Sequence, residues 1–422
     1  MSTVNLTRWQ QMFFAAFCVM VVLSNVQFLT LDGISEEPSA IKLYHVVSAG
    51  LVLWMPLAWC LRTLPWTVHV FFITVGISTA AAYSTYGFST HCILIIYALF
   101  VTCLGASAAQ RLGRDTVLKV IRHVFTALHF IIVVRILYYL VTAGDVPRAP
   151  GGRPDLLFFY SGGNNLEASW LAISLALFSK SKLFVPLTFS SALIAVVYGS
   201  RTGLLLTVAS VGFVLLSSPG RVKWMIRGVG IIAAGIVFLM VTEIGEQMLE
   251  RFENIGDTDE FGSSSRLDMW STAVEAIQRN PFGYGIGNSQ HVIKARQSMG
   301  IDHVTNVHNV FIQMALDGGV QTLGAWLLVI GHLFIRTWKR RPDMAVPGFL
   351  IIYLCGSIVQ FTGYETFTWL MLGILVADLA MAPATVPAQP DRPRPQPAQQ
   401  RHIAGPRPVP IPIPIPVRRT HS

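Results

Sequence analysis

The chain has 422 residues, 53% of them hydrophobic and only 13% charged, with a formal net charge of +9 and a mean hydropathy of +0.54. Soluble domains carry about 25% charged residues, so the composition excludes an ordinary soluble fold and points to an all-α polytopic membrane protein. The basic excess sits in short loops without an aromatic-studded groove, which removes any reason to invoke nucleic acid. Cys18, Cys60, Cys92, Cys103 and Cys355 all lie in apolar runs with no CxxC spacing, so neither a disulfide framework nor a thiolate metal site is expected.

A bilayer core takes about 20 apolar residues per helix, and on that rule the chain holds about twelve spans. In chain order they cover 12–30, 43–61, 66–84, 92–109, 118–142, 165–179, 183–199, 204–218, 226–243, 318–336, 345–361 and 367–382. The first run is too long for a signal-peptide core and lacks a small-residue cleavage site, so it reads as a retained span. With both termini cytoplasmic, the Lys/Arg-bearing segments 62–63, 110–115, 179–182, 217–223 and 336–343 all fall inside, which is the positive-inside arrangement. The opposite face then carries the loop 142–164 and one long loop, about 244–310. A transmembrane domain over 1–382 therefore includes that loop. Residues 383–422, running through PRPVPIPIPIPVRR, predict a disordered or polyproline-type cytoplasmic tail, either a spacer or a partner-binding extension.

Inside the long loop, SSSRLDMWSTAVEAIQR at 263–279 has helical periodicity, with Leu267, Trp270, Val274 and Ile277 as an apolar stripe. Ser265 and Asp268 resemble a capping box, placing Arg266 in the first turn of an amphipathic helix on the outer membrane surface. In NPFGYGIGNSQ, Pro281, Gly283, Gly285 and Gly287 then break the helix and allow close backbone approach. The stretch HVTNVHNVFIQMALDGG at 303–319 predicts a helix capped by Thr305 or Asn306, beginning near His308 and reaching a break at Gly318–Gly319.

Three polar features gather on the outer face. In the corner YGSRTG at 198–203, Arg201 is permanently charged and suits phosphate oxygens, or else anchors at headgroups. Arg266 at a helix start makes an anion site, or is a plain surface arginine. The field at a helix start disfavours protonation of His308, leaving it neutral as a proton acceptor must be, or simply as a packed or capping residue. Together the three suit a doubly phosphorylated lipid headgroup and the deprotonation of an incoming hydroxyl. A diphosphate leaves without a protonating acid, which accounts for the lack of an obvious paired-carboxylate pattern.

Other residues carry two readings each. Arg135 lies within an apolar span, as a further phosphate contact or a snorkelling charge. Asn164 and Asn165 in GGNN line a glycan site or cap a helix. Asp257 and Asp259 form the DxD of metal-dependent glycosyltransferases, weighed against a solvated acidic turn, and Glu36 and Glu37 are an acidic pair in the first outer loop. His291, His303 and His308 lack HExxH spacing, and no strand precedes the glycines of GYGIG, so neither metal nor cofactor is expected.

YGSRTG between two spans, SSSRLDMW followed by NPFGYGIG, and HNVFIQMALDGG entering a late span resemble, in order and spacing, the O-antigen ligase and O-antigen polymerase superfamily. The resemblance runs over roughly 160–335, with Asp317 where the family usually has glutamate and Thr322 in place of a second glycine. It implies a GT-C-like polytopic glycosyltransferase of the bacterial inner membrane with its active site facing the periplasm. The implied donor is an undecaprenyl-diphosphate-linked glycan, and the implied acceptor is a saccharide, lipid A-core or a growing glycan. Transfer would proceed with inversion and without metal or cofactor. Carried onto this chain, Arg201 and Arg266 bind the pyrophosphate and His308 is the base; Arg135, outside the stretch that carries the resemblance, is the further pyrophosphate contact expected from its intramembrane charge. Asn164, Asn165, Asn309 and Gly285 contact the glycan or the loops. Ligation, repeat-unit polymerisation and protein O-oligosaccharyl transfer remain open as acceptor choices. A lipid-linked sugar flippase is the rival class, disfavoured because the apolar runs are clean and the polar clusters lie at one face.

Overall fold

The computed structural model describes residues 8, 12, 62, 64–87, 89, 91–144, 146–147, 163–217, 226, 230, 264–289, 292–293, 307–340, 344–360 and 365–380. Apart from Met12, Ile226 and Gly230, the spans expected at 12–30, 43–61 and 226–243 lie outside these residues, as do the proline-rich tail, the DxD, Glu36, Glu37, Thr305, Asn306, His291 and His303.

Among the described residues the helices are α1 (Trp66–Tyr86), α2 (His91–Ala108), α3 (Arg114–Ala143), α4 (Gly163–Ser174), α5 (Phe184–Val197), α6 (Arg201–Ser217), α7 (Ser264–Arg279), α8 (Val310–Arg340), α9 (Ala345–Gly356) and α10 (Thr366–Ala380). Among the described residues three stretches are long and apolar enough to cross a membrane, Trp66–Tyr86, Ile95–Ala143 and Val310–Thr337, and α5, α6, α9 and α10 are shorter apolar helices. Large side chains such as Phe130, Tyr138 and Val141 on α3 are exposed, as they are on a helix facing lipid rather than water.

The core is aromatic. Phe71 of α1 packs on Trp326 of α8 and Trp369 of α10, with ring centroids 5.4 and 5.7 Å apart. Trp170 of α4 stacks on Phe349 and Tyr353 of α9. Rings of this size fill the space between helices, and their offset and tilted packing adds to the dispersion contact that holds a bundle together in lipid.

On α7, Met269, Ala273 and Ala276 are buried, Trp270 and Ile277 of the expected stripe are partly buried against the same cluster, and Leu267 and Val274 are 63% and 43% exposed. The Tyr284 hydroxyl reaches the Ala276 carbonyl at 3.0 Å. One sequence expectation needs correction, the start of α8. The helix begins at Val310, and Asn309 is its cap, its Oδ1 accepting the N–H groups of Phe311 and Ile312 at 3.0 and 3.1 Å.

The break expected at Gly318–Gly319 is present as a kink in α8, where Gly319 has φ 82 and ψ 170. Backbone from the loop after α7 fills it. Tyr284 N–H donates to the Leu316 carbonyl at 3.0 Å, Gly285 N–H to the Asp317 carbonyl at 2.8 Å, and Val320 N–H to the Pro281 carbonyl at 2.9 Å. The Gly318 carbonyl accepts from Ser78, Gln321 and Thr322 side chains. Thr322, standing where a second glycine was expected, thus serves the kink instead of preventing it.

Candidate active site

Arg266 lies in the first turn of α7, and its Nη1 donates to the Val359 carbonyl at 3.0 Å. His308 hydrogen-bonds to the backbone of the next residue, Gln360. The same turn receives the first amide of α8, Val310 N–H donating to the Ser357 carbonyl at 2.8 Å. Two chain segments distant in sequence, the start of α7 and the start of α8, therefore converge on the turn that ends α9.

His308 has φ 52, the one positive value for a non-glycine among the described residues. This left-handed conformation costs on the order of 1 kcal/mol or more and is tolerated where the surroundings enforce it. Here the enforcing contacts flank it. Trp270 Nε1 donates to the Val307 carbonyl at 2.8 Å, Val307 N–H donates to Gln313 Oε1 at 3.2 Å, and Asn309 caps α8.

Burial pushes the His308 imidazole down to about 4, with the nearby Arg266 guanidinium acting in the same direction and the Gln360 hydrogen bond opposing both. The surroundings favour the neutral state expected from the sequence by a different route: His308 precedes the helix, and desolvation and Arg266 act on it. A neutral imidazole donates from one nitrogen and accepts at the other. A backbone carbonyl only accepts, so the bond to Gln360 leaves the lone pair on the remaining ring nitrogen.

A second cluster surrounds Tyr198. Arg135 Nη2 donates to the Tyr198 hydroxyl oxygen at 2.8 Å, and that hydroxyl donates to Glu167 Oε1 at 2.8 Å. Arg135 Nη2 and Glu167 Oε1 are 3.6 Å apart. Asn164 Nδ2 donates to the Tyr198 carbonyl at 2.7 Å, while Asn165 lies beside it in the first turn of α4. Arg201, partly buried, opens α6 three residues after Tyr198.

The helices that carry the two clusters pack on each other. Trp170 follows Glu167 by nearly one turn on α4 and stacks on Tyr353 at 6.0 Å, and Tyr353 precedes Ser357 by one turn on α9. Gly285 is buried and engaged with the α8 kink through its N–H.

A search of curated proteins finds no match for this chain. A family model does match. Residues 186–327 fit the model described as O-antigen ligase. The resemblance to the O-antigen ligase and polymerase superfamily is supported on that segment, and with it a glycosyltransferase-type enzyme in a membrane protein. The O-antigen ligase match takes in Tyr198–Gly203, Arg266, Gly285, His308 and Asn309, while Arg135, Asn164, Asn165, Glu167 and the 357–360 turn lie beyond it.

Glu167 is the residue that reading the sequence passed over. It is a carboxylate near the start of an apolar run, and Arg135 is a guanidinium inside another; opposite charges within neighbouring spans are the signal for a pair. The 357–360 turn had no such signal, since it contributes backbone carbonyls that any sequence carries.

Proposed function

We propose that this protein transfers a glycan from undecaprenyl diphosphate to a sugar hydroxyl on the periplasmic face, with inversion and without a metal, in the manner of an O-antigen ligase. The observation that carries this reading is the meeting of a neutral His308 with Arg266 at the 357–360 turn, both residues belonging to the segment 186–327 that fits the O-antigen ligase model.

In the proposed step the lone-pair nitrogen of His308 takes the proton of the acceptor hydroxyl. That oxygen bonds to the anomeric carbon from the face opposite the leaving group, and the bond from carbon to the diphosphate oxygen breaks. Undecaprenyl diphosphate departs with the electron pair, its added charge stabilised by Arg201 and Arg266. Guanidinium donors fixed in place do the electrostatic work that a divalent cation does elsewhere. Arg135, turned onto Tyr198 and Glu167, contributes through those partners. Asn164 and Asn165, at the α4 start, border the same corner, and Asn309 holds His308 through the α8 cap.

The test is transfer by purified protein from an undecaprenyl-diphosphate glycan to lipid A-core, a non-reducing glycan end or a peptide, each supplied separately, with and without EDTA. Lipid A-core is the expected acceptor, and the rate is unchanged by EDTA. Use of the glycan end alone would make the protein a polymerase with the same chemistry, and loss of activity in chelator would redirect attention to Asp257 and Asp259. Arg201→Ala and Arg266→Ala each raise the donor KM by about 10- to 100-fold, as loss of a charge-assisted hydrogen bond of about 1.5–3 kcal/mol requires. Unchanged donor KM in both variants defeats the diphosphate assignment.

A further inference from the structure

The proposed transfer step makes no direct use of Glu167, yet this side chain is fully buried. A carboxylate in that position is expensive unless paired and hydrogen-bonded, and its partners are specific. Oε1 accepts the Tyr198 hydroxyl at 2.8 Å and stands 3.6 Å from Arg135 Nη2. Arg135 closes the triangle by donating to the same hydroxyl oxygen at 2.8 Å. The three side chains come from α4, from the residue that ends α5, and from α3.

Everything around the triangle leads to Arg201. Asn164 on α4 holds the Tyr198 carbonyl. Ser200 Oγ accepts the Gly203 amide at 3.1 Å, capping the first turn of α6 in which Arg201 stands. Gly203 faces Ala168, the neighbour of Glu167, so closely that a Cβ there would lie 2.6 Å from the Ala168 methyl. The corner is therefore clamped to α4 at its Tyr198 end and its Gly203 end, with Arg201 between the clamps.

We propose that Glu167 is a positioning residue: by holding Tyr198 and neutralising Arg135 it sets the corner from which Arg201 engages the donor diphosphate. This rests on the reading of Arg201 as a donor contact. A guanidinium that already has a carboxylate and a hydroxyl stays in place when an anion arrives, so Arg135 does not draw the diphosphate inward and Arg201 meets it at the corner. Glutamine at 167 keeps an oxygen for the Tyr198 hydroxyl but leaves Arg135 without its counter-charge. Phenylalanine at 198 keeps the ring but removes the bridge between the two charges.

The experiment measures the Kd of undecaprenyl diphosphate, without sugar, for the full chain in nanodiscs, alongside the thermal midpoint of each variant. Glu167→Gln weakens binding about ten-fold, a 1.4 kcal/mol effect, and Tyr198→Phe by about three-fold. The double variant binds no more weakly than Glu167→Gln alone, because both act through one linkage. If both single variants lower the midpoint while the folded protein keeps the parental Kd, Glu167 is merely structural and the proposal is overturned. The outcome for Arg201→Ala separates the two levels. Weakened binding there with parental binding in both Glu167→Gln and Tyr198→Phe sinks the positioning role alone. Parental binding in Arg201→Ala sinks the donor-site reading, and this inference with it.

Discussion

His308→Ala lowers glycan transfer on the order of 10²- to 10⁴-fold, the usual contribution of a positioned general base, while undecaprenyl diphosphate binding stays within about two-fold. The separation follows from geometry. His308 is held by backbone, through Gln360 and the Asn309 cap, and it carries no positive charge with which to attract the donor. Removing it takes a proton acceptor out of the step and leaves Arg201 and Arg266 in place. A loss of donor affinity as large as the loss of turnover would show that His308 binds substrate and does not act as the base.

The pH dependence sharpens the same prediction. Burial and Arg266 depress the imidazole to about 4, so in the free enzyme it is neutral above that value and is lost as a base when pH falls through it. The donor kcat/KM, which reports the free enzyme, should have its acid limb near pH 4. When the diphosphate binds, its negative charge offsets Arg266 and favours the imidazolium, so the acid limb of kcat moves to higher pH. Binding of the donor thus makes His308 a stronger base at the moment it is needed. An acid limb for kcat at or below that for kcat/KM contradicts this. Stability moves with the same sign: between the ordinary histidine value near 6.5 and about 4, the unfolded chain binds a proton that the folded protein does not, so His308 makes the fold less stable as pH falls through that window.

The apolar helices were readable because hydropathy alone determines them. The runs expected at 66–84, 118–142 and 183–199 appear as Trp66–Tyr86, Arg114–Ala143 and Phe184–Val197. At α8 the helix expected from near His308 to the Gly318–Gly319 break and the span expected from 318 are both present, as the two parts of Val310–Arg340 on either side of Gly319. Hydropathy did not show that Gln313 and Asp317 lie in the core as hydrogen-bonded groups, Gln313 Nε2 reaching Ser289 and Asp317 at 2.7 and 2.8 Å. On α7 the period marked Leu267, Trp270, Val274 and Ile277, but it did not show that Met269, Ala273 and Ala276 are the residues the protein buries. Of the candidate site, the types and spacing of Arg201, Arg266 and His308 were visible. Their supports were not: Glu167 acts through partners on other helices, and Val359 and Gln360 act through carbonyls.

Gly283→Ala should be among the most damaging single-methyl additions in the described structure. Gly283 has φ 87, a conformation that costs an L side chain about 1–3 kcal/mol. A Cβ there would lie 2.4 Å from the Gly319 nitrogen and 2.6 Å from the Asp317 carbonyl oxygen. Both are backbone atoms, so no rotamer change relieves the clash, and overpacking of this kind adds about another 1–3 kcal/mol. The methyl would wedge apart the strand-like contacts by which Tyr284 and Gly285 donate to Leu316 and Asp317. Those contacts fix the first half of α8, whose Asn309 cap sets His308, so transfer falls together with the thermal midpoint. Gly324→Ala is the matched control on the same helix, where an added Cβ meets nothing within 4 Å. There the change is neutral or slightly stabilising, since alanine is the better helix former. Midpoints for the two variants within about 2 °C of each other, where a loss of several kcal/mol predicts a much wider gap, would mean that the loop after α7 does not lock the kink of α8.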